Sequence, residues 1–158
     1  TPELIAQGLV SYQASGMRQN IYEQDGYHIY ADCYNASPDA MEATLSVLGG
    51  MAGDGRRFAV LGSMLELGDY AEEGHRRAGR AAAQYADALY AYGPDAAAMV
   101  AGAREKGMEH AYAFDDQTAL VAALREDAKK GDALLFKGSR GMRMERALAM
   151  FLGEEVEA

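Results

Sequence analysis

The sequence contains a single cysteine, Cys33. No disulfide can therefore close within the chain, no Cys/His cluster of the zinc type can form, and the expected location is the cytoplasm. Positive charge is also scarce, with 15 Lys and Arg against 24 Asp and Glu for a formal net charge of −9. Such a surface repels polyanions, so neither nucleic acid nor an anionic membrane is an expected partner. No apolar run approaches the roughly 18 residues that cross a bilayer as a helix, and no basic segment leads into an apolar one at the N-terminus. Neither an anchor nor a signal peptide is expected.

Several chemical signatures are missing as well. Gly-x-x-x-x-Gly-Lys-Ser/Thr, whose amides and lysine surround nucleotide phosphates, does not occur, nor does the dinucleotide fingerprint Gly-x-Gly-x-x-Gly. His28, His75 and His110 form no His-x-x-x-His pair, and no acid cluster resembles a calcium loop. A Gly-x-Ser-x-Gly nucleophile is absent too. We therefore expect no metal ligands, and assign no catalytic residue, within this chain.

What is present describes one globular domain. The 158 residues, 49% hydrophobic and 25% charged, can bury roughly 70% of their unfolded surface around one core. Glu3 to Tyr12 has helical spacing behind Thr1-Pro2, and Ser15-Gly16 breaks it. Asn20 to Glu23 and Tyr27 to Asp32 read as two strands around Asp25-Gly26, a strong hairpin signal.

Strand and helix then alternate. Ser37-Pro38 opens a helix carrying Met41, Leu45 and Leu48, and Phe58 to Leu61 is a short apolar strand. A helical stretch over 71–86 precedes a strand over 88–92, and Pro94-Asp95 opens a helix that closes near Gly107. Strands over 111–114 and 133–136 flank a helix that Asp116 can cap, and a last helix carries Met144, Leu148 and Phe151. This rhythm predicts an α/β fold: a Rossmann-like, mostly parallel sheet of about six strands, helices on both faces, and an antiparallel hairpin at its start.

In such sheets ligands bind where strand C-termini meet helix N-termini. Four segments share that edge: Asp32 to Pro38, Gly62 to Gly68, Tyr92 to Asp95, and Lys137 to Gly141. Seven of the 15 basic residues lie between Arg125 and Arg146 (Arg125, Lys129, Lys130, Lys137, Arg140, Arg143 and Arg146), so a small anion can bind near one end, or these are solvated helix faces. Lys137-Gly138-Ser139-Arg140-Gly141 suits a carboxylate or phosphate, and equally reads as a plain glycine-rich connection. Asp32 to Pro38 offers an acid for sugar hydroxyls and Tyr34 and Asn35 for a base, or simply a turn and an N-cap. Met64 and Leu65, apolar in a loop, need a cover from a substrate, a neighbouring domain or the loop itself.

In order, Gly16-Met17-Arg18, Asp32-Cys33-Tyr34-Asn35-Ala36-Ser37-Pro38, Leu61 to Gly68, His75 and Lys137-Gly138-Ser139-Arg140 resemble the Mur ligase family. The likeness covers nearly the whole chain but only the last third of such an enzyme. Ser37 and Ser63 stand where the family often has Asn and Asp. The resemblance implies an ATP-dependent amide ligase of peptidoglycan precursor synthesis. Its substrates would be UDP-N-acetylmuramoyl-tripeptide and D-alanyl-D-alanine, with ATP and Mg²⁺ used by the full-length enzyme and none held tightly by this part. It further implies that residues 1–16 are the tail of a central ATPase domain and its hinge, and that 17–158 form the C-terminal domain. Partnered by missing N-terminal and central domains, the chain is then expected to be inactive alone. By the same likeness Arg18 would meet ATP phosphates, Asp32 the ribose, and Tyr34 and Asn35 the nucleoside region. Lys137, Ser139 and Arg140 would lie near the dipeptide. The alternative reading is a free-standing ligand-binding or receiver-like α/β module.

Overall fold

A computed structural model describes residues 20–34, 36–51 and 53–156. The helix expected over 3–12, the hinge, Arg18 and Asn35 fall outside the described residues. The hairpin joins β1 (Asn20–Gln24) to β2 (Tyr27–Asp32). Both turn residues, Asp25 at φ 54° and Gly26 at φ 88°, are left-handed, which matches the twist of the strands they connect.

The chain continues through α1 (Pro38–Leu48), β3 (Arg57–Gly62), α2 (Ala71–Tyr85), β4 (Ala88–Tyr92) and α3 (Ala96–Glu105). It ends with β5 (Ala111–Phe114), α4 (Gln117–Asp127), β6 (Ala133–Lys137) and α5 (Met144–Leu152). Ser37 caps α1 by accepting from the Ala40 N–H, and Asp116 caps α4 by accepting from the Thr118 N–H. Asp95 sits at the N-cap of α3 without making a side-chain cap bond. Of the histidines, His28 lies in β2, His75 in α2, and His110 just before β5.

The sheet runs β1-β2-β6-β3-β4-β5, parallel in every pair except the first. Period-two alternation divides the core. Tyr30, Ala59, Leu61, Leu89 and Leu135 face α1, α2 and α3, whereas Ile29, Phe58, Val60, Tyr90 and Phe136 face α4 and α5. Helices α2 and α3 meet backbone to backbone. A Cβ on Gly79 would come 1.9 Å from the Met99 carbonyl oxygen, and one on Gly102 would come 2.0 Å from that of Arg76. Glycine is required there by the space, not by the dihedral angles.

The position of β6 builds the site. The chain steps outward from β3 to β4 and β5, then returns to insert β6 between β2 and β3. Lys137 is thereby in register with both Asp32 and Leu61, which brings loops distant in sequence to one edge at a topological switch point.

Candidate functional site

Asp32 ends β2 and Lys137 ends β6, and the Lys137 Nζ donates to Asp32 Oδ2 at 2.6 Å. Asp32 is 7% exposed and Lys137 1%. Ions this deep persist only when paired and hydrogen-bonded. Burial pushes the Asp32 carboxyl above its usual range, while the Lys137 ammonium and the Thr44 hydroxyl pull it back. Sequence reasoning listed the two residues under different ligands, and the fold makes them one pair. Lys137 is not the exposed base of a plain connection.

The loop after β3 is held from three sides. Ser63, fully buried, donates its backbone N–H to the Tyr92 carbonyl and accepts the Asp95 N–H on Oγ at 3.1 Å. Its own carbonyl accepts the Ser139 N–H at 3.2 Å. His75, fully buried in α2, accepts the Met64 N–H on Nε2 at 2.8 Å. Its Nδ1 lies 2.6 Å from the Ala71 carbonyl oxygen. A backbone donor on one nitrogen and a carbonyl on the other assign the proton to Nδ1, so the ring is neutral in this arrangement. Asp95 Oδ2, 3.7 Å from Nε2, stands beside the ring.

Ser139 completes the brace, its Oγ accepting the Leu65 N–H at 2.8 Å. That bond leaves the hydroxyl proton for another acceptor. Met64 is buried at 1% exposure, covered by the domain's own core, whereas Leu65 is 40% exposed. The loop therefore packs locally at one apolar residue and presents the other. Glu66 at φ 66° makes the turn between them and Gly68.

Arg140 follows Ser139 and places its guanidinium 5.5 Å from the centre of the Tyr34 ring, a cation–π contact between the loops after β6 and β2. The sequence offered no means to foresee that pairing. Beneath it Cys33 is 1% exposed and donates to the Phe136 carbonyl. Burial, with Glu145 and Asp32 nearby, pushes the thiol up to about 12, so it is an inert core group rather than a nucleophile.

Of the residues expected at a site, Asp32, Tyr34, Lys137, Ser139 and Arg140 gather on this edge, with Ser63, His75 and Asp95 behind them. Tyr92, Asp115, Gln117, Gly141, Arg143 and Arg146 line a cleft of about 280 Å³ between the start of α4 and the start of α5. The sequence placed Tyr92 and Gly141 on the ligand edge and Arg143 and Arg146 in the basic run, but gave no signal for Asp115 and Gln117. A larger cleft of about 440 Å³ lies outside α2, where Arg77 and Arg80 are already engaged with Glu42, Asp39, Glu73 and Glu105. Among the described residues no group of three or more His, Cys, Asp or Glu could hold a metal ion, and no helix is long and apolar enough to cross a membrane.

Residues 17–140 match the family model described as Mur ligase, glutamate ligase domain. The UDP-N-acetylmuramoyl-tripeptide--D-alanyl-D-alanine ligase of Bacillus subtilis is 37% identical over 147 residues, covering 91% of this chain and 32% of that protein. The crystal structure of MurF ligase from Thermotoga maritima in complex with ADP superposes with a TM-score of 0.77 at 33% identity, covering 91% of this chain and 32% of that one. MurF from Acinetobacter baumannii superposes with a TM-score of 0.82 at 30% identity, covering 96% and 34%. The chain spans about a third of the length of these relatives. By the family model, by identity and by fold, it belongs to the Mur ligase family and corresponds to its C-terminal, glutamate ligase domain.

Proposed function

We propose that this chain is the closing domain of an ATP-dependent amide ligase that adds D-alanyl-D-alanine to UDP-N-acetylmuramoyl-tripeptide. In that reaction ATP phosphorylates the tripeptide's terminal carboxylate, and the amine of the dipeptide attacks the acyl phosphate, releasing phosphate and forming the amide. The observation that carries the reading is the 37% identity to the Bacillus subtilis ligase across 91% of this chain. The convergence of the Asp32, Gly62 and Lys137 loops on one sheet edge supports it.

The roles we assign are those of positioning. Asp32, with one oxygen on Lys137, retains lone pairs for the ribose hydroxyls, and to Tyr34 and Asn35 we assign the nucleoside region. Arg18 meets the phosphates. Lys137 offsets the burial of Asp32 with a charge-assisted hydrogen bond, while Ser139 and Arg140 face the incoming dipeptide. Phosphoryl transfer and acyl attack gain chiefly from alignment and charge stabilisation, which a closing wall supplies without moving a proton. Mg²⁺ and the phosphate cradle belong to the central domain, and the UDP group to the N-terminal one. An enzyme that consumes ATP and a UDP-linked precursor works in the cytoplasm.

The test is amide formation. Incubated with ATP, Mg²⁺, UDP-N-acetylmuramoyl-tripeptide and D-alanyl-D-alanine, the 158-residue chain alone should yield no product, and the three-domain enzyme should yield it with phosphate release. Product from the isolated chain would refute the partition, and tight nucleotide or dipeptide binding by it would favour a free-standing module. No dipeptide-dependent phosphate release from the three-domain enzyme would refute the activity.

A further inference from the structure

The loop after β3 turns on strained backbone. Glu66 is left-handed at φ 66°, a conformation disfavoured for a residue with a side chain, and Gly68 follows at φ 58°. A turn of that kind is kept in shape by its anchors. The Ser63 N–H is held by the Tyr92 carbonyl, the Met64 N–H by His75 Nε2 and the Leu65 N–H by Ser139 Oγ. Of these acceptors, a carbonyl, an imidazole and a hydroxyl, only the imidazole is of a kind that titrates between about pH 5 and 8.

The ring is fully buried, with Nδ1 on the Ala71 carbonyl and Nε2 on the Met64 N–H. A proton arriving at Nε2 makes that nitrogen a donor, and the Met64 N–H loses its acceptor. The charge so formed is met by a counter-ion. Asp95, at the N-cap of α3, makes no side-chain cap bond, and its Oδ2 lies 3.7 Å from Nε2 with 29% of the side chain exposed. A movement of roughly 0.9 Å brings that oxygen to hydrogen-bond distance, and its exposed side gives the proton a way in from solvent. The other charges around the ring point elsewhere. Arg76 and Arg77, beside His75 on α2, are drawn to Glu72, Glu105, Asp39 and Glu42 from α1, α2 and α3. The loops after β3 and β6 bring Ser63 and Ser139, both uncharged.

We infer that His75 is a positioning residue and a pH-responsive hold on this loop. Its neutral ring fixes Met64 and, through Leu65, the brace on Ser139; its protonation turns Nε2 from the Met64 N–H to Asp95 and frees the loop. The bearing on catalysis rests on the ligase reading above, in which Ser139 faces the incoming dipeptide. The switch itself does not.

Nitrogen-15 NMR of the 158-residue chain tests it. Near about pH 8 Nδ1 should carry the proton and Nε2 none. On acidification the ring should gain a proton, and the amide shifts of Met64 and Leu65 should follow it with the same midpoint. Across that midpoint the exchange protection factor of Met64 should fall at least about tenfold, while that of Ser63, anchored on the Tyr92 carbonyl, holds. Asp95→Asn removes the counter-ion, so the midpoint should move to lower pH. His75→Gln supplies an amide oxygen as acceptor without a titrating ring, and its Met64 shift should stay flat. A proton on Nε2 at neutral pH, Met64 shifts that ignore the ring, protection lost equally at Ser63, or a midpoint unmoved by Asp95→Asn would overturn the inference. Because Asp95 is partly exposed, its variant decides the matter even where His75→Gln does not fold. In the three-domain enzyme the ratio of kcat/KM for the dipeptide, Asp95→Asn over unsubstituted, should rise as pH falls through the midpoint, with KM for ATP unchanged. A constant ratio would overturn the positioning role. If the unsubstituted enzyme shows no dipeptide-dependent turnover, the ligase reading has failed, whereas the NMR titration still decides the switch.

Discussion

Replacing Lys137 by methionine keeps most of the side chain's volume and removes its charge, leaving the Asp32 carboxylate 7% exposed without its ammonium partner. At 2.6 Å the attraction is several kcal/mol even at an effective dielectric constant of about 20, and desolvation consumes much of it. The informative quantity is the cost of breaking the pair, about 3–5 kcal/mol. For a chain of this size that lowers Tm by roughly 6–20 °C. Asp32→Asn combined with Lys137→Met should recover most of the loss, since the desolvated charge is then gone. The pH dependence adds a second constraint. Burial already raises the Asp32 carboxyl, and losing Lys137 removes a cause that lowers it, so in Lys137→Met it rises further. A folded carboxyl raised above its unfolded value binds protons more tightly in the native state. Its stability contribution is therefore full below the unfolded value near pH 4 and lost as pH rises through the folded one. The deficit of Lys137→Met against the unsubstituted chain should be small at about pH 4 and largest at neutral pH. Thermal melts across that range measure it. A single variant within about 1 kcal/mol of the unsubstituted chain at pH 7, or a double variant no more stable than the single, would refute the buried-pair argument.

Three further outcomes are expected. Ser139→Ala should leave the Leu65 N–H without its acceptor, cost about 1–2 kcal/mol, and speed amide exchange at Leu65 more than at Met64, whose N–H still has His75; unchanged exchange would contradict the brace. Gly79→Ala should destabilise by about 3 kcal/mol or more, because its Cβ would come 1.9 Å from the Met99 carbonyl oxygen, and denaturant titration checks it. For Asp127, burial acts to raise the carboxyl, but Arg56 and the Tyr90 hydroxyl together hold it below the usual range. Its contribution is then present above the unfolded value and lost as pH falls through the folded one, so the advantage of the unsubstituted chain over Asp127→Asn should shrink below about pH 4. A constant difference between melts at pH 7 and pH 3 would exclude that linkage.

The order and type of the elements were legible because each has a local cause. Asp25-Gly26 can turn left-handed, Ser37 and Asp116 can cap, and the short apolar runs at Phe58, Ala88 and Ala133 are too brief for helices and flanked by breakers. The segments of the candidate edge were legible for the same reason, since strand C-termini followed by polar loops and helix starts are a pattern along the chain. The motifs in their order carried the family as well. What tertiary structure alone decided is which of those residues meet. The insertion of β6 between β2 and β3 pairs Lys137 with Asp32 across a sequence separation of 105. It also sets Ser139 on Leu65 and Arg140 over Tyr34. The return of the chain over the opposite face brings Gln117 against Arg143 and forms the cleft. Such contacts depend on strand order and on which face each helix covers, and those follow from burying the whole apolar surface at once, a sum over distant residues that no local pattern records.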